Sequence, residues 1–260
     1  MPSEGLALKT VALTPGQDKS GQAEAQGVEF RPGEITALLG PTGSGKSRFL
    51  SDIECLAAGD TPTGRRLLLD GRVPDEDTRF RLQGRLVAQL TQNMNFVLDL
   101  GVRDFLITHA ESREVPDPEA AAEMVLNAAN ALAGEPFGPG TQLTQLSGGQ
   151  SRALMIADTA LLSWSPVLLI DEIENAGVDK RKALDLLLAS DKIIVMATHD
   201  PVLALSAQRR LVFAQGAVRK VIHRTGNEQA LLAELSAMEG KLSLVRSRLR
   251  AGEEAVLDLA

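Results

Sequence analysis

The sequence predicts an α/β domain with a mainly parallel core sheet, an antiparallel β edge and an inserted α-helical lobe. Three observations carry this. Short apolar runs alternate with stretches of helical periodicity, which is the pattern of strands covered by helices. A glycine-rich loop joins one such strand to one such helix. A long helical run over about residues 102–160 then interrupts the alternation. The length of 260 residues fits one such domain with a small lobe. An apolar fraction of 44% is enough to bury a sizeable core.

The elements follow in order. Leu6 to Leu13 alternates as an edge strand, and residues 15–27 read as a polar turn or loop. Val28–Phe30 and Ile35–Leu39 are strands split by the turn Arg31-Pro32-Gly33-Glu34. Arg48 to Ala58 is apolar at helical spacing through Phe49, Leu50, Ile53 and Leu56. Leu67–Leu69 and Val87–Leu90 are strands. Val102 to Leu132 is helical and alanine-rich, Arg152 to Leu162 is a helix, and Val167–Ile170 is a buried strand. Lys180–Leu188 is a helix and Ile193–Ala197 a strand. Leu211–Phe213 and Val218–Ile222 flank Gln215-Gly216 as a hairpin.

Composition narrows the function classes. A net charge of -7 disfavours nucleic acid or anionic lipid as a partner of the whole surface. The single Cys55 excludes an internal disulfide and fits a reducing compartment such as the cytoplasm. The start lacks a basic and apolar leader pattern, and no apolar run has the length of a membrane span.

Gly40-Pro41-Thr42-Gly43-Ser44-Gly45-Lys46-Ser47 fits G-x-x-x-x-G-K-[ST] and lies between a strand and a helix. Its glycines let backbone N–H groups close around phosphates, and the helix start adds a positive dipole. Lys46 is expected to reach the phosphates and Ser47 to ligate Mg²⁺. Val167 to Ile170 leads into Asp171-Glu172, a buried strand ending in two carboxylates. Asp171 is expected to hold Mg²⁺ and Glu172 to act as general base toward the attacking water.

Between these motifs stands Leu146-Ser147-Gly148-Gly149-Gln150. This run resembles the signature of the ATP-binding cassette ATPases, and the resemblance extends from about Leu6 to Arg224. It implies a P-loop NTPase cassette, with ATP and Mg²⁺ as ligands. It implies that Ser147 and the backbone of Gly148 and Gly149 contact the γ-phosphate held by a second cassette, with Gln150 near the ribose. The chain is therefore expected to work as a homodimer or beside a related cassette. His199, in Ala197-Thr198-His199-Asp200, matches the family's switch histidine. The family also places a Mg²⁺-ligating glutamine after a strand. Gln89 and Gln92 are the candidates, and Gln92 is preferred for its spacing to the next helical segment at Gly101-Val102-Arg103-Asp104. Asp179 is the counterpart of an aspartate that crosses the dimer interface.

Two departures stand out. Where the family stacks an aromatic residue on adenine, this chain reads Val11-Ala12-Leu13-Thr14-Pro15. Base stacking is worth on the order of 1–3 kcal/mol, so discrimination for adenine is expected to be modest. The run Ile173-Glu174-Asn175-Ala176-Gly177-Val178-Asp179 is longer than the family's common loop and lacks its proline. The domain expected is residues 1–225, followed by a helical extension over 226–260. In that extension Leu231, Leu235, Met238, Leu242, Val245 and Leu249 recur at spacings of four and three, with Gly240 interrupting and Arg246, Arg248 and Arg250 near the end. The stripe fits either packing on its own domain or a dimer or partner contact. The driven partner is expected to be a membrane permease or, alternatively, a cytosolic partner in protein or metallocofactor assembly or remodelling.

Overall fold

A computed structural model describes residues 8–91, 95–171 and 177–254. Two sheets organise the chain. β1 (Val11–Leu13), β2 (Val28–Phe30) and β4 (Leu67–Leu69) form an antiparallel sheet in the order β2-β1-β4. The larger sheet comprises β3 (Ile35–Leu39), β5 (Val87–Leu90), β6 (Val167–Asp171), β7 (Ile193–Ala197), β8 (Arg209–Ala214) and β9 (Ala217–His223). Its order is β5-β6-β7-β3-β8-β9, parallel except for the antiparallel β8–β9 hairpin at one edge. The expected antiparallel edge is thus a separate three-stranded sheet together with β9.

The central strands are buried on both faces, so their sequences run apolar without alternation. Side-chain direction still alternates. Val167 and Leu169 face a core with Phe49 and Ile53 of α1 (Lys46–Glu54) and with β1 and β2. Leu168 and Ile170 face the opposite core, with α5 (Gly148–Leu161) and α6 (Lys180–Leu188). A third core belongs to the helical lobe. There α3 (Val102–Ser112) and α4 (Pro118–Leu132) pack on α5 through Val102, Leu106, Val125, Ala129, Leu154 and Ala157.

Several boundaries differ from the sequence expectation, each for a local reason. The first strand begins at Val11 rather than Leu6, because the backbone N–H groups of Lys9 and Thr10 donate to the Asp70 carboxylate instead of a neighbouring strand. Leu6 itself lies outside the described residues. Helix α1 starts at Lys46 and ends at Glu54, short of Ala58. Leu56 adopts φ 52°, and the Ala57 carbonyl accepts from Leu67 N–H of β4, so sheet pairing takes the backbone the helix would need. The run from Val102 to Leu132 is two helices, broken where Glu114 has φ 52° and where Asp117 caps α4 ahead of Pro118. Helix α5 begins at Gly148, earlier than Arg152, because Ser147 caps it.

Two helices were not expected. α2 (Glu76–Leu82) buries no residue and so has no apolar period to read. α7 (Pro201–Ser206) spans little more than a turn and is started by Asp200, which accepts from Val202 and Leu203 N–H. Finally, α8 (Gly226–Arg250) is one continuous helix across Gly240. It packs beside α7, and ion pairs tie Arg210 to Glu228 and Lys180 to Glu239.

Candidate nucleotide site

The glycine-rich loop leaves the end of β3 and enters α1. Gly40 takes φ 148°, Gly43 76° and Gly45 110°. A Cβ at Gly40 would stand 2.6 Å from the Phe213 carbonyl, and one at Gly45 would stand 2.7 Å from Cα of Gly216. Only glycine therefore lets the loop lie against β8 and the β8–β9 turn. Gly216 N–H donates to the Ser44 carbonyl at 2.8 Å, fixing that contact. Lys46 is buried, and its Nζ donates back to the carbonyls of Gly40 at 2.6 Å and Pro41 at 3.3 Å. Ser47 is exposed on the first turn of α1.

The loop fits a phosphate on this structure's own evidence. Helix α1 has no side-chain cap, so its first N–H groups remain as donors toward the loop. The Ser44 hydroxyl is buried and, among the described residues, has no hydrogen-bond partner. Lys46 supplies the charge. The oxygens of Ser47 and Asp171 are the hard donors that Mg²⁺ prefers beside phosphate.

Sheet order brings the remaining residues to the same edge. β7 lies between β3 and β6, with Leu38 opposite Ala197 and Ala197 opposite Asp171. All three strands are parallel, so their carboxyl ends meet, as they do at binding crevices of open α/β sheets. That edge carries the loop from β3, Asp171 at the end of β6, and exposed His199 two residues beyond β7. Gln89 sits inside β5 opposite Leu169, one residue before the strand's last residue, Leu90. Gln92 and Glu172 lie outside the described residues.

The signature run stands on the helical lobe. Ser147 Oγ accepts from Gln150 N–H at 3.3 Å, while Gln150 Oε1 accepts from Ser147 N–H at 2.9 Å. This reciprocal cap fixes the start of α5. Gln150 Nε2 also donates to the Glu135 carbonyl at 3.3 Å. Within the protomer, both ends of the Gln150 side chain are thus engaged. Gly148 and Gly149 form the first turn.

Asp179 caps α6 by accepting from Lys182 N–H. The next residue, Lys180, is paired with Asp200, the neighbour of His199. Burial alone would lower the Lys180 pKa, but hydrogen bonds to Asp200 and Glu239 outweigh it and raise it. Burial alone would raise the Asp200 pKa, and the Lys180 bond holds it below the ordinary value. The start of α6 and the histidine turn are therefore joined by one ion pair.

Two features behind the loop escaped the sequence reading. Lys19 Nζ donates to the Gly43 carbonyl at 2.8 Å, and Lys19 N–H donates to the Gln215 carbonyl. Its setting in a polar loop carried no signal. Deeper lies Arg65, fully buried, paired with Glu24 at 2.6 Å and Asp52 at 2.9 Å. Arg65 also donates to the Gly216 carbonyl at 3.3 Å and lies over the Phe49 ring at 5.0 Å. Glu24 accepts in addition from Gly16 and Val218 N–H. Burial opposes ionisation of Glu24, but these donors hold its carboxyl below the usual range. The network joins the small sheet, α1 and the hairpin turn that backs the loop.

Together the phosphate-type loop, the acidic strand end, the histidine turn and the capped signature define an ATP-binding cassette. Residues 25–175 match the family model described as ABC transporter, and the chain belongs to that family. It is accordingly an ATP-hydrolysing cassette. It is 45% identical to an uncharacterized ABC transporter ATP-binding protein of Methanocaldococcus jannaschii, covering 95% of each chain. It is 30% identical to a nickel import ATP-binding protein of Rhodospirillum rubrum, covering 91% of this chain and 95% of that one. It is also 28% identical to a macrolide export ATP-binding/permease protein of Marinobacter nauticus, covering 87% of this chain and 35% of that one. Among solved structures, a dimeric bacterial ABC transporter cassette shares its fold with TM-score 0.62 and 24% identity, over 83% of this chain and 99% of that one. Among the described residues, no helix is long and apolar enough to cross a membrane.

Proposed function

We propose that this chain binds Mg-ATP at the β3–α1 loop, closes head-to-tail on a second cassette, and reopens on hydrolysis to drive a membrane permease from the cytoplasmic side. The observation that carries the reading is the meeting of three parallel strand ends, which brings the loop, Asp171 and His199 to one edge. In this reading Gly40–Ser47 cradle the phosphates, with Lys46 as the point charge. Ser47, Asp171 and Gln92 hold Mg²⁺, which supplies charge neutralisation on the phosphate oxygens. Glu172 polarises water and His199 orients it. Lys46 must exchange its bonds to the Gly40 and Pro41 carbonyls for phosphate oxygens. Ser147, Gly148 and Gly149 complete the site of the opposing subunit, and Asp179 lies at the junction. The γ-phosphate then acts as an adhesive between two surfaces, and its loss releases them. Residues 1–225 form the cassette in this reading, and 226–260 an extension.

Glu172→Gln tests the assignment. It should keep ATP affinity, slow turnover at least about a hundredfold, and leave a stable dimer with ATP by size-exclusion chromatography. Turnover near wild type removes Glu172 from the role. Capture of an integral membrane protein by the Glu172→Gln chain supports the permease partner. Capture of soluble proteins alone overturns it in favour of a remodelling role.

A further inference from the structure

Helix α8 carries an apolar stripe that its own domain leaves open. Leu231, Met238, Leu242 and Leu249 are 45%, 59%, 54% and 61% exposed, while Leu235 and Val245 are half-buried. The order of the stripe is unusual. Read outward from Gly240, Met238 mirrors Leu242, Leu235 mirrors Val245, and Leu231 mirrors Leu249. A second copy laid antiparallel, with its own Gly240 level with this one along the axis, would place an apolar residue against an apolar residue in every layer of the stripe. Spacings of four and three are those of a helix pair.

Charge follows the same division. From Gly226 to Gly240 the charged residues are Glu228, Glu234 and Glu239, all acidic. From Lys241 to Arg250 every charged residue is basic. A parallel pair would set like halves together. Glu228 and Glu239 are held by Arg210 and Lys180 of their own protomer, so in an antiparallel pair it is Glu234 that meets the partner's basic half, with Arg246 at the mirrored position.

We infer that α8 is a self-association helix that pairs antiparallel with α8 of a second copy of this chain, about a two-fold axis that passes between Met238 and Leu242 at the level of Gly240. The stripe from Leu231 to Leu249 extends about 27 Å along the helix at 1.5 Å per residue. The pairing needs no nucleotide. It is therefore separate from the ATP-dependent closure proposed above and does not rest on it.

The full chain without nucleotide should sediment as a dimer at micromolar concentration. Met238→Glu should weaken that dimer at least tenfold while circular dichroism and ATP binding stay as in wild type. Cross-linking fixes the geometry in a Cys55→Ser background. Met238→Cys should link to Leu242→Cys in a mixture of the two chains. Leu231→Cys should link to Leu249→Cys in a mixture of the two chains, and not to itself. A monomer without nucleotide overturns the inference. So does self-linking of Leu231→Cys, which is the mark of a parallel pair. Wild-type self-association by Met238→Glu overturns it as well.

Discussion

Lys46 shows how one residue type at one spacing fixes local chemistry. Its Nζ holds the carbonyls of Gly40 and Pro41, so the cation is kept at the loop rather than extended into solvent. The loop residues were legible in the sequence because backbone geometry demands glycine at 40 and 45 and the pattern records that demand. Lys19 was not legible, because its role depends on a polar loop folding over the Gly43 carbonyl. The base contact is a matter for single residues too. No aromatic residue lies in β1, and the chain has no tyrosine. In a fluorescence competition with Mg²⁺, ATP should be preferred over GTP by less than about a hundredfold, or nearly 3 kcal/mol. A larger preference would reveal an adenine contact made by some other residue.

At the scale of elements, the strands of the large sheet were readable because continuous apolar runs have one use in an α/β domain. The ends of elements were less readable. Helix α1 stops where Ala57 is drawn into pairing with β4, a choice made by a strand thirteen residues downstream of the helix end. Helix α2 hides because it buries nothing. The Arg65 network is an inter-element joint, and its members are scattered from Gly16 to Val218. Removing one partner of a buried ion pair typically costs about 3–5 kcal/mol. Arg65→Ala should lower the unfolding free energy by about that amount in urea, and an effect below about 1 kcal/mol would mean that the joint is slack. Glu24 gives the matching pH dependence. Its folded pKa is depressed, so its stabilisation is present above the unfolded value of 4.5 and is lost as pH falls through the lower folded value. Glu24→Gln should flatten the stability curve in that acidic window, as followed by urea denaturation at several pH values. An unchanged slope would place the acid sensitivity elsewhere.

For the whole molecule, the loop and the signature sit on units with different cores, the loop above α1 and Ser147 on the helical lobe. The composite site proposed here predicts complementation. Lys46→Ala and Ser147→Arg chains, each inactive alone, should on mixing form heterodimers with one intact site. That site should recover up to about half of wild-type turnover if the two act independently. Cross-linking gives the sharper test. In the Glu172→Gln background with Mg-ATP, cysteines placed at Ser147 and Ser44 should join two chains. If ATP never produces that link and the protein stays monomeric with nucleotide, the homodimer gives way to pairing with a different cassette. The sequence carried both half-sites as motifs, but their separation onto two cores required the three-dimensional packing.

The sheet order also sets a timetable for synthesis. β3 carries the phosphate loop, yet its two neighbours are β7 and β8, with Thr36 opposite Val195 on one side and Arg209 on the other. While the first two-thirds of the chain emerges from a ribosome, this apolar strand has neither partner. Such late pairings close long loops and fold slowly, and an unpaired apolar strand is prone to stick to others. A chain ending after Leu188 should therefore collect in the insoluble fraction on expression, whereas one ending after Arg224 should not. Equal solubility of the two would show that β3 is sheltered by other means until its neighbours arrive.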